Sequence, residues 1–316
     1  MTKIYKLKEI EEILSEINLF REIEKGFIEY SSGNTVVPPV GELLFERPPG
    51  DVHIKYGYIK NDEYYVVKIA SGFYENPKVN LPSNNGLMLL FNQKTGEPLA
   101  VMLDQGLLTD VRTAVAGAIA AKYLAPTNIT KIGIVGTGVQ ARLQLLYLKD
   151  ITPSKEVIVW GRDYNHVSIY ITEMRAKGYH VEAAMDIEEL CEQCNLIITT
   201  TPVLSPLIRA DNILPGTHIT AVGSDTEDKQ EIQVESFAKA DLIVADSISQ
   251  CNVRGEIHHA LKKKVISLKQ VKELGDVIQD RKLQRSSDDQ TSIADLTGVA
   301  VQDIQITKAV YQYFNQ

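Results

Sequence analysis

Cysteine is scarce, three residues in 316, which excludes a disulfide framework and points to a reducing compartment. Cys191 and Cys194 form a C-x-x-C. It lies in a helical pattern over 186–195, with no second cysteine pair or H-x-x-H beside it, so we read it as structural and expect no metal. His258-His259 is read the same way, as helix surface. Long apolar runs are also missing, which excludes a membrane-spanning helix. Residues 1–14 alternate charges with Ile and Leu, unlike the apolar stretch of a signal peptide. The expected location is the cytoplasm. Positive charge is in deficit, 33 Lys+Arg against 41 Asp+Glu, for a net charge of −8. With a pI near 5.4, this argues against nucleic acid or an anionic membrane as partner. There is no internal repeat and no low-complexity tract.

What remains is an ordinary globular composition, 44% hydrophobic and 23% charged, in a chain long enough for about two domains. From Lys131 onward, short β-branched runs alternate with helical patterns. The runs cover 131–135, 156–160, 195–199, 218–222 and 241–245, and amphipathic stretches such as 139–148 and 166–177 separate them. Continuously apolar strands suit a parallel sheet covered by helices on both faces, an α/β doubly wound (Rossmann-type) fold. The first part reads as α+β: one long helical pattern over 7–30, then strand-like runs at 51–59, 64–70, 86–91 and 99–103, with a loop over 76–86. We expect one domain over 1–116, completed by 295–316, and a second over 117–294.

The strongest motif is Gly136-Thr137-Gly138-Val139-Gln140-Ala141, preceded by a strand and followed by a helix. In a G-x-G-x-x-A of this kind the first glycine permits a tight turn and the second lets the backbone approach a pyrophosphate. The small third residue packs helix on strand, and the helix N-terminus meets the phosphates. The alternative is a structural glycine turn; the strand–helix context and the four buried strands that follow favour a dinucleotide. NAD-specific folds carry an acid at the end of the next strand. Here Trp160 is followed by Gly161-Arg162-Asp163. Gly161 falls at the acidic position and Arg162 suits a 2′-phosphate, which leans to NADP. Asp163 leaves NAD open.

Four further residues point to a substrate. Lys68 is a cation inside the apolar run Tyr64-Tyr-Val-Val-Lys-Ile-Ala70; alone, it reads equally as an edge lysine that snorkels. Lys55 shares a strand face with His53. Arg112 lies where the first domain feeds into the second, able to grip a carboxylate bidentately or to make a surface ion pair. Asp225 follows the fourth of the buried runs at its carboxyl end, where ligands bind in such sheets, or serves as a cap.

The segments Val67-Lys-Ile69, Thr95-Gly-Glu-Pro-Leu-Ala-Val101, Leu108-Thr-Asp-Val-Arg-Thr-Ala114, Gly136-Thr-Gly-Val-Gln-Ala-Arg142, Ala221-Val-Gly-Ser-Asp225, Lys229-Gln-Glu231 and Gln290-Thr-Ser-Ile-Ala-Asp-Leu-Thr-Gly298, with Asp303, together resemble the ornithine cyclodeaminase/mu-crystallin family across nearly the whole chain. The resemblance implies a homodimer built through the N-terminal domain and a Rossmann domain holding NAD(P), with Thr113 of the R-T-A motif beside the cofactor. It implies that Lys68 and Arg112 hold a substrate carboxylate, with Lys68 and Asp225 as the catalytic pair and Asp225 acting on nitrogen as acid/base. Ornithine-type members carry an arginine where this chain has Gly41 and a carboxylate near Lys55. A cation at Lys55 suits a second carboxylate or a plain imino acid better than ornithine. The leading expectation is hydride transfer with an amino or imino acid. The rivals are cyclodeamination of ornithine to proline, and a crystallin-like protein that binds NADPH and a ligand without turnover.

Overall fold

The computed structural model describes every residue except Tyr74. It divides into two compact units, Met1–Arg112 with Val299–Gln316, and Thr113–Gly298. These borders differ from the expected 116/117 and 294/295 for two local reasons. The helix Leu107–Leu124 runs continuously through the first border. Near the second, Asp295 is the last residue of a strand paired within the second unit's sheet. Among the described residues, no helix is long and apolar enough to cross a membrane.

The first unit is built on seven strands: β1 (Lys3–Lys6), β2 (Thr35–Val36), β3 (Gly41–Glu46), β4 (Pro49–Ile59), β5 (Tyr64–Phe73), β6 (Asn84–Asn92) and β7 (Pro98–Leu103). Their order is β1-β7-β6-β5-β4-β2, and β3 also pairs with β4. The β4–β7 meander is antiparallel, and β1 joins β7 in parallel. Side chains alternate between faces along each strand. One face buries Ile59, Val66, Met88, Leu90, Ala100 and Met102. The C-terminal helix Ala300–Tyr313 belongs to this unit and packs on the helix Leu19–Ser31 and on β4 and β5.

The helical pattern over 7–30 is interrupted. Leu7–Ile13 and Leu19–Ser31 are separate helices, with a tighter turn at Leu14–Glu16. Asn18 starts the second helix by accepting the Arg21 N–H at 3.1 Å. The apolar residues Ile10, Ile13, Ile17, Phe20, Ile23 and Phe27 recur at steps of three and four across the break, which hides it in the sequence. The tract read as a loop over 76–86 contains a short 3₁₀ turn at Asn76–Val79, and β6 begins at Asn84.

The second unit holds β8 (Ile132–Val135), β9 (Glu156–Trp160), β10 (His180–Ala183), β11 (Leu196–Thr199), β12 (His218–Ala221), β13 (Leu242–Ala245), β14 (Val271–Glu273) and β15 (Ser292–Asp295). They form one parallel sheet in the order β10-β9-β8-β11-β12-β15-β13-β14. From β8 the chain winds outward through β9 and β10, then returns to β11 on the other flank. The strand order therefore reverses between β8 and β11, the switch point at which such sheets bind ligands. β8, β11 and β12 are buried along their whole length, as the apolar runs required, and so is β15, which no such run marked.

Candidate active site

The dinucleotide loop follows β8 at the switch point, and the helix Val139–Tyr147 opens directly behind it with Gly138 at its cap. The two glycines are needed for different reasons. Gly136 has φ +119°, and a Cβ there would lie 2.4 Å from Thr200 Oγ1, so the fold itself demands glycine. Gly138 has an ordinary extended backbone, φ −82° and ψ −168°, and a Cβ there meets nothing within 4 Å. No packing among the described residues explains it, and the space is open to a ligand. This open cradle fits a dinucleotide pyrophosphate. Ala141 is fully buried, as close helix–strand packing requires, while Val139 is half exposed. Arg142, quoted in the motif but given no role, braces the loop. Its Nη1 donates to the Thr137 carbonyl and to the Gly138 carbonyl at 3.2 Å, and its Nε contacts Glu173 at 2.5 Å. Thr113 lies behind the same helix, where its carbonyl accepts from Gln144 Nε2 at 3.1 Å and that amide also reaches Gln140 Oε1 at 3.4 Å.

At the end of β9, Arg162 and Asp163 are exposed. Asp163 caps the helix Tyr164–Ala176, with Oδ1 accepting from Asn165 N at 2.8 Å and His166 N at 3.3 Å. At Gly161 a Cβ would come within 2.8 Å of Thr137 Cγ2 and 3.0 Å of Val167 Cγ2. An acidic side chain therefore cannot be accommodated at the end of this strand without movement.

In the first unit the structure brings together residues far apart in sequence. Lys68 is not an edge lysine. It sits mid-sheet, with Lys55 opposite it on β4 and Met88 opposite it on β6, and both lysines are buried. Lys68 Nζ lies 3.4 Å from Asp303 Oδ2, and Arg112 Nε lies 2.9 Å from Asp303 Oδ1. Arg112 Nη1 donates to Gln302 Oε1 at 2.8 Å. The Gln302 Nε2 has no hydrogen-bond partner among the described residues. Burial pulls the Lys68 ammonium down from 10.5 to about 7; Asp303 opposes the shift, while Arg112 and Lys55 add to it. The helix that carries Arg112 is entered through a tight turn with positive φ at Gln105 and Gly106. Asp104 starts it, accepting the Leu108 N–H at 2.7 Å. Asp303 and Gln302 were missed as partners because they reach the site from the C-terminal helix. The available signal was a carboxylate in the first turn of a helix otherwise rich in Val, Ile and Ala.

Asp225 lies in the second unit, on the loop after β12, and is half buried and paired with Lys229 at 2.7 Å. The loop is held by Ser224 Oγ donating to the Lys229 carbonyl and by Arg254 Nη1 donating to the Asp225 carbonyl at 3.3 Å. His259, expected at a helix surface, is half buried, and its Nε2 lies 2.9 Å from the Lys229 carbonyl. The Cys191 and Cys194 thiols are buried and pushed up to about 12, which makes them poor nucleophiles.

The whole sequence, residues 1–316, matches the ornithine cyclodeaminase/mu-crystallin family, and the chain belongs to it. It is 35% identical over 312 residues to an alanine dehydrogenase of Archaeoglobus fulgidus, covering 98% of this chain and 94% of that protein. Among solved structures it resembles a Δ1-pyrroline-2-carboxylate reductase of Thermococcus litoralis bound to NADH and L-proline. The TM-score is 0.92 at 28% identity, over 98% of this chain and 97% of that one. It also resembles the iminosuccinate reductase of Paracoccus denitrificans bound to NAD+, with TM-score 0.86 at 27% identity, over 99% and 96% of the two chains.

Proposed function

We propose that this protein transfers hydride reversibly between a nicotinamide dinucleotide and the α-carbon of an amino or imino acid. The observation that carries the reading is the buried cluster of Lys68 and Arg112 around Asp303. Such a cluster holds more cation than anion and is suited to a substrate carboxylate. When bound, the nicotinamide supplies the hydride donor or acceptor. The loop 136–141 holds its pyrophosphate, with Thr113 behind the helix that follows. Arg112 grips the substrate carboxylate, Asp303 fixes the guanidinium, and Lys68 adds a second cation. Holding the carboxylate fixes the α-carbon, and that orientation is the protein's contribution to rate. Asp225 takes or gives the proton at the substrate nitrogen. Relatives that act on alanine, pyrroline-2-carboxylate and iminosuccinate support this assignment.

Lys55, buried opposite Lys68, argues against the cyclodeaminase reading. A cation there repels the distal ammonium of ornithine and attracts a second carboxylate. The test is a panel of amino acids, and of 2-oxo acids with ammonia or methylamine, followed by nicotinamide absorbance. We expect stoichiometric oxidation or reduction of the dinucleotide and little ammonia release from ornithine. Redox-neutral conversion of ornithine to proline would replace this reading with the cyclodeaminase.

We further propose a preference for NADP, although three solved relatives, among them an archaeal alanine dehydrogenase with bound NAD, hold NAD or NADH. The support is the exposed Arg162, the occupied cap at Asp163 and the lack of room for an acid at Gly161. Arg162→Ala should weaken NADPH by about 1–3 kcal/mol, the range for losing a charge-assisted hydrogen bond, and leave NADH unchanged. A wild type that binds NADH more tightly overturns this assignment.

A homodimer through the first unit is supported by its exposed apolar side chains, Leu43, Leu44 and Phe45 on β3 and Tyr56 on β4. The solved alanine dehydrogenase relative is a dimer. Three buried thiols fit a reducing, cytoplasmic setting.

A further inference from the structure

Glu231 is fully buried and has no part in the chemistry above. Its carboxylate ties together the carboxyl ends of two neighbouring strands. Oε2 accepts from Thr199 Oγ1 at 2.7 Å and from Gly223 N at 2.9 Å. Oε1 accepts from Thr201 N at 2.5 Å and from Thr201 Oγ1 at 2.6 Å. Thr199 ends β11 and Gly223 follows β12, so one side chain joins the exits of both strands. The backbone of residue 231 is fixed as well. Its N–H donates to Glu256 Oε1 at 2.6 Å, and its carbonyl accepts from Leu207 N at 2.8 Å and Ile208 N at 3.0 Å. The fit leaves no slack: a Cβ on Gly223 would lie 2.3 Å from the Thr201 carbonyl oxygen and 2.7 Å from Glu231 Cδ.

Asp225 lies between these two anchors. Glu231 clamps Gly223 at the start of the loop, and is itself the residue at which the loop ends. We infer that Glu231 is a positioning residue for Asp225: it accepts four donors from the ends of β11 and β12 and so sets where the acid/base carboxyl sits. The inference deepens the hydride-transfer reading and rests on it for the role of Asp225.

The chemistry makes Glu231→Gln informative. Each carboxylate oxygen faces one partner that can only donate, Thr201 N on one side and Gly223 N on the other. A glutamine amide must therefore point its NH₂ at a backbone N–H whichever way it turns. We expect Glu231→Gln to lower kcat by about 10²-fold, the cost of misplacing a reacting group by about 1 Å, with dinucleotide affinity retained. A purely structural role predicts a loss that multiplies with any other. A positioning role predicts that, once Asp225 is replaced by Asn, the second change lowers kcat by no more than about twofold, the scatter between independent sites. Multiplying losses overturn the inference, and so does an unchanged kcat in Glu231→Gln.

Amide hydrogen exchange gives a readout free of turnover. Peptides covering 223–230 should exchange faster in Glu231→Gln while those covering 132–160 stay protected; equal exchange in 223–230 overturns the inference. If no acid in the panel reacts, the hydride-transfer reading fails while this arm still decides the loop. Should Glu231→Gln not fold, Thr201→Val removes one hydroxyl donor and keeps the backbone N–H. It should give a smaller loss of kcat that likewise vanishes in the Asp225→Asn background, and a loss that persists there overturns the inference.

Discussion

The two units bury ionisable groups in opposite ways. In the first, the Lys68 and Arg112 side chains face the Asp303 carboxylate, with Nζ and Nε 3.4 and 2.9 Å from its oxygens. In the second, Glu231, Glu256, Asp246 and Asp295 are all fully buried, and their hydrogen bonds come from backbone N–H groups and hydroxyls. Glu256 accepts from Ile232 N at 3.1 Å, Asp295 from Ile257 N at 2.8 Å, and Asp246 from Gly298 N at 2.6 Å. Burial pushes Glu231 up to about 7 and raises Glu256 and Asp295 well above the usual carboxylate range. The cationic cluster is unbalanced in a way that an incoming carboxylate corrects. The acids of the second unit are framework, held by donors that carry no charge.

The sharpest way to break this comparison is to remove one ion. Arg112→Leu leaves the buried Asp303 carboxylate with Lys68, at 3.4 Å, as its cation. Breaking a buried pair in this way costs about 3–5 kcal/mol, to be read from urea unfolding, and substrate turnover should be lost with it. A loss below about 1 kcal/mol, the level of an exposed pair, would mean that the cluster is hydrated and that its charges are not held as ions against each other.

Gly138→Val should do the reverse in the second unit. Among the described residues a Cβ at Gly138 meets nothing within 4 Å, so the fold should survive, with the melting temperature lowered only by the poorer helix cap. Dinucleotide binding, followed by fluorescence titration, should disappear because the valine fills the pyrophosphate's place. Unchanged affinity would remove the dinucleotide from this loop.

The pH dependence of stability separates the units by sign. The folded pKa of Lys68 is depressed to about 7 from 10.5. Its contribution is present above 10.5 and is lost as pH falls towards 7, because the unfolded chain binds more protons in that window. The folded pKa of Glu231 is raised to about 7 from 4.5. Its contribution is present below 4.5 and is lost as pH rises through 7. Against Lys68→Met, wild type should therefore gain stability from pH 7 to 10; against Glu231→Gln, it should gain from pH 7 down to 5. Slopes of the same sign in both comparisons would defeat the contrast.

How much of this was legible in the sequence follows from how local each feature is. The parallel strands, the dinucleotide loop and the helix behind it are set by periodicity and by glycines a few residues apart, and they lie where those patterns put them. Lys68 was legible as an anomaly, a cation in an apolar strand, but not as a buried one. Only the register places Lys55 across from it. Asp303 was legible only as a carboxylate in the first turn of the last helix, and its partner could not be read, since Arg112 is 190 residues from the neighbouring Gln302 in the chain. The insertion of β15 between β12 and β13 is equally non-local. The break before Leu19 was hidden because apolar residues recur at steps of three and four through the turn.

The smallest expected effect is also the closest test of what the buried acids are. Asp295 Oδ2 accepts the Ile257 N–H at 2.8 Å, and Oδ1 has no hydrogen-bond partner among the described residues. Burial is the main cause that raises this carboxyl well above its usual range, and Asp246 adds to it. Burial therefore favours the neutral form of this carboxyl. Asp295→Asn keeps the shape and the acceptor for Ile257, and places an amide nitrogen where the unpartnered oxygen was. From the neutral form no charge is lost and no pair is broken, so the change in unfolding free energy should stay within about 1 kcal/mol, the net worth of one hydrogen bond. Urea unfolding at pH 7 measures it beside Arg112→Leu. If Asp295→Asn costs as much as Arg112→Leu, Asp295 is ionised in the folded protein, and the two units handle buried charge alike.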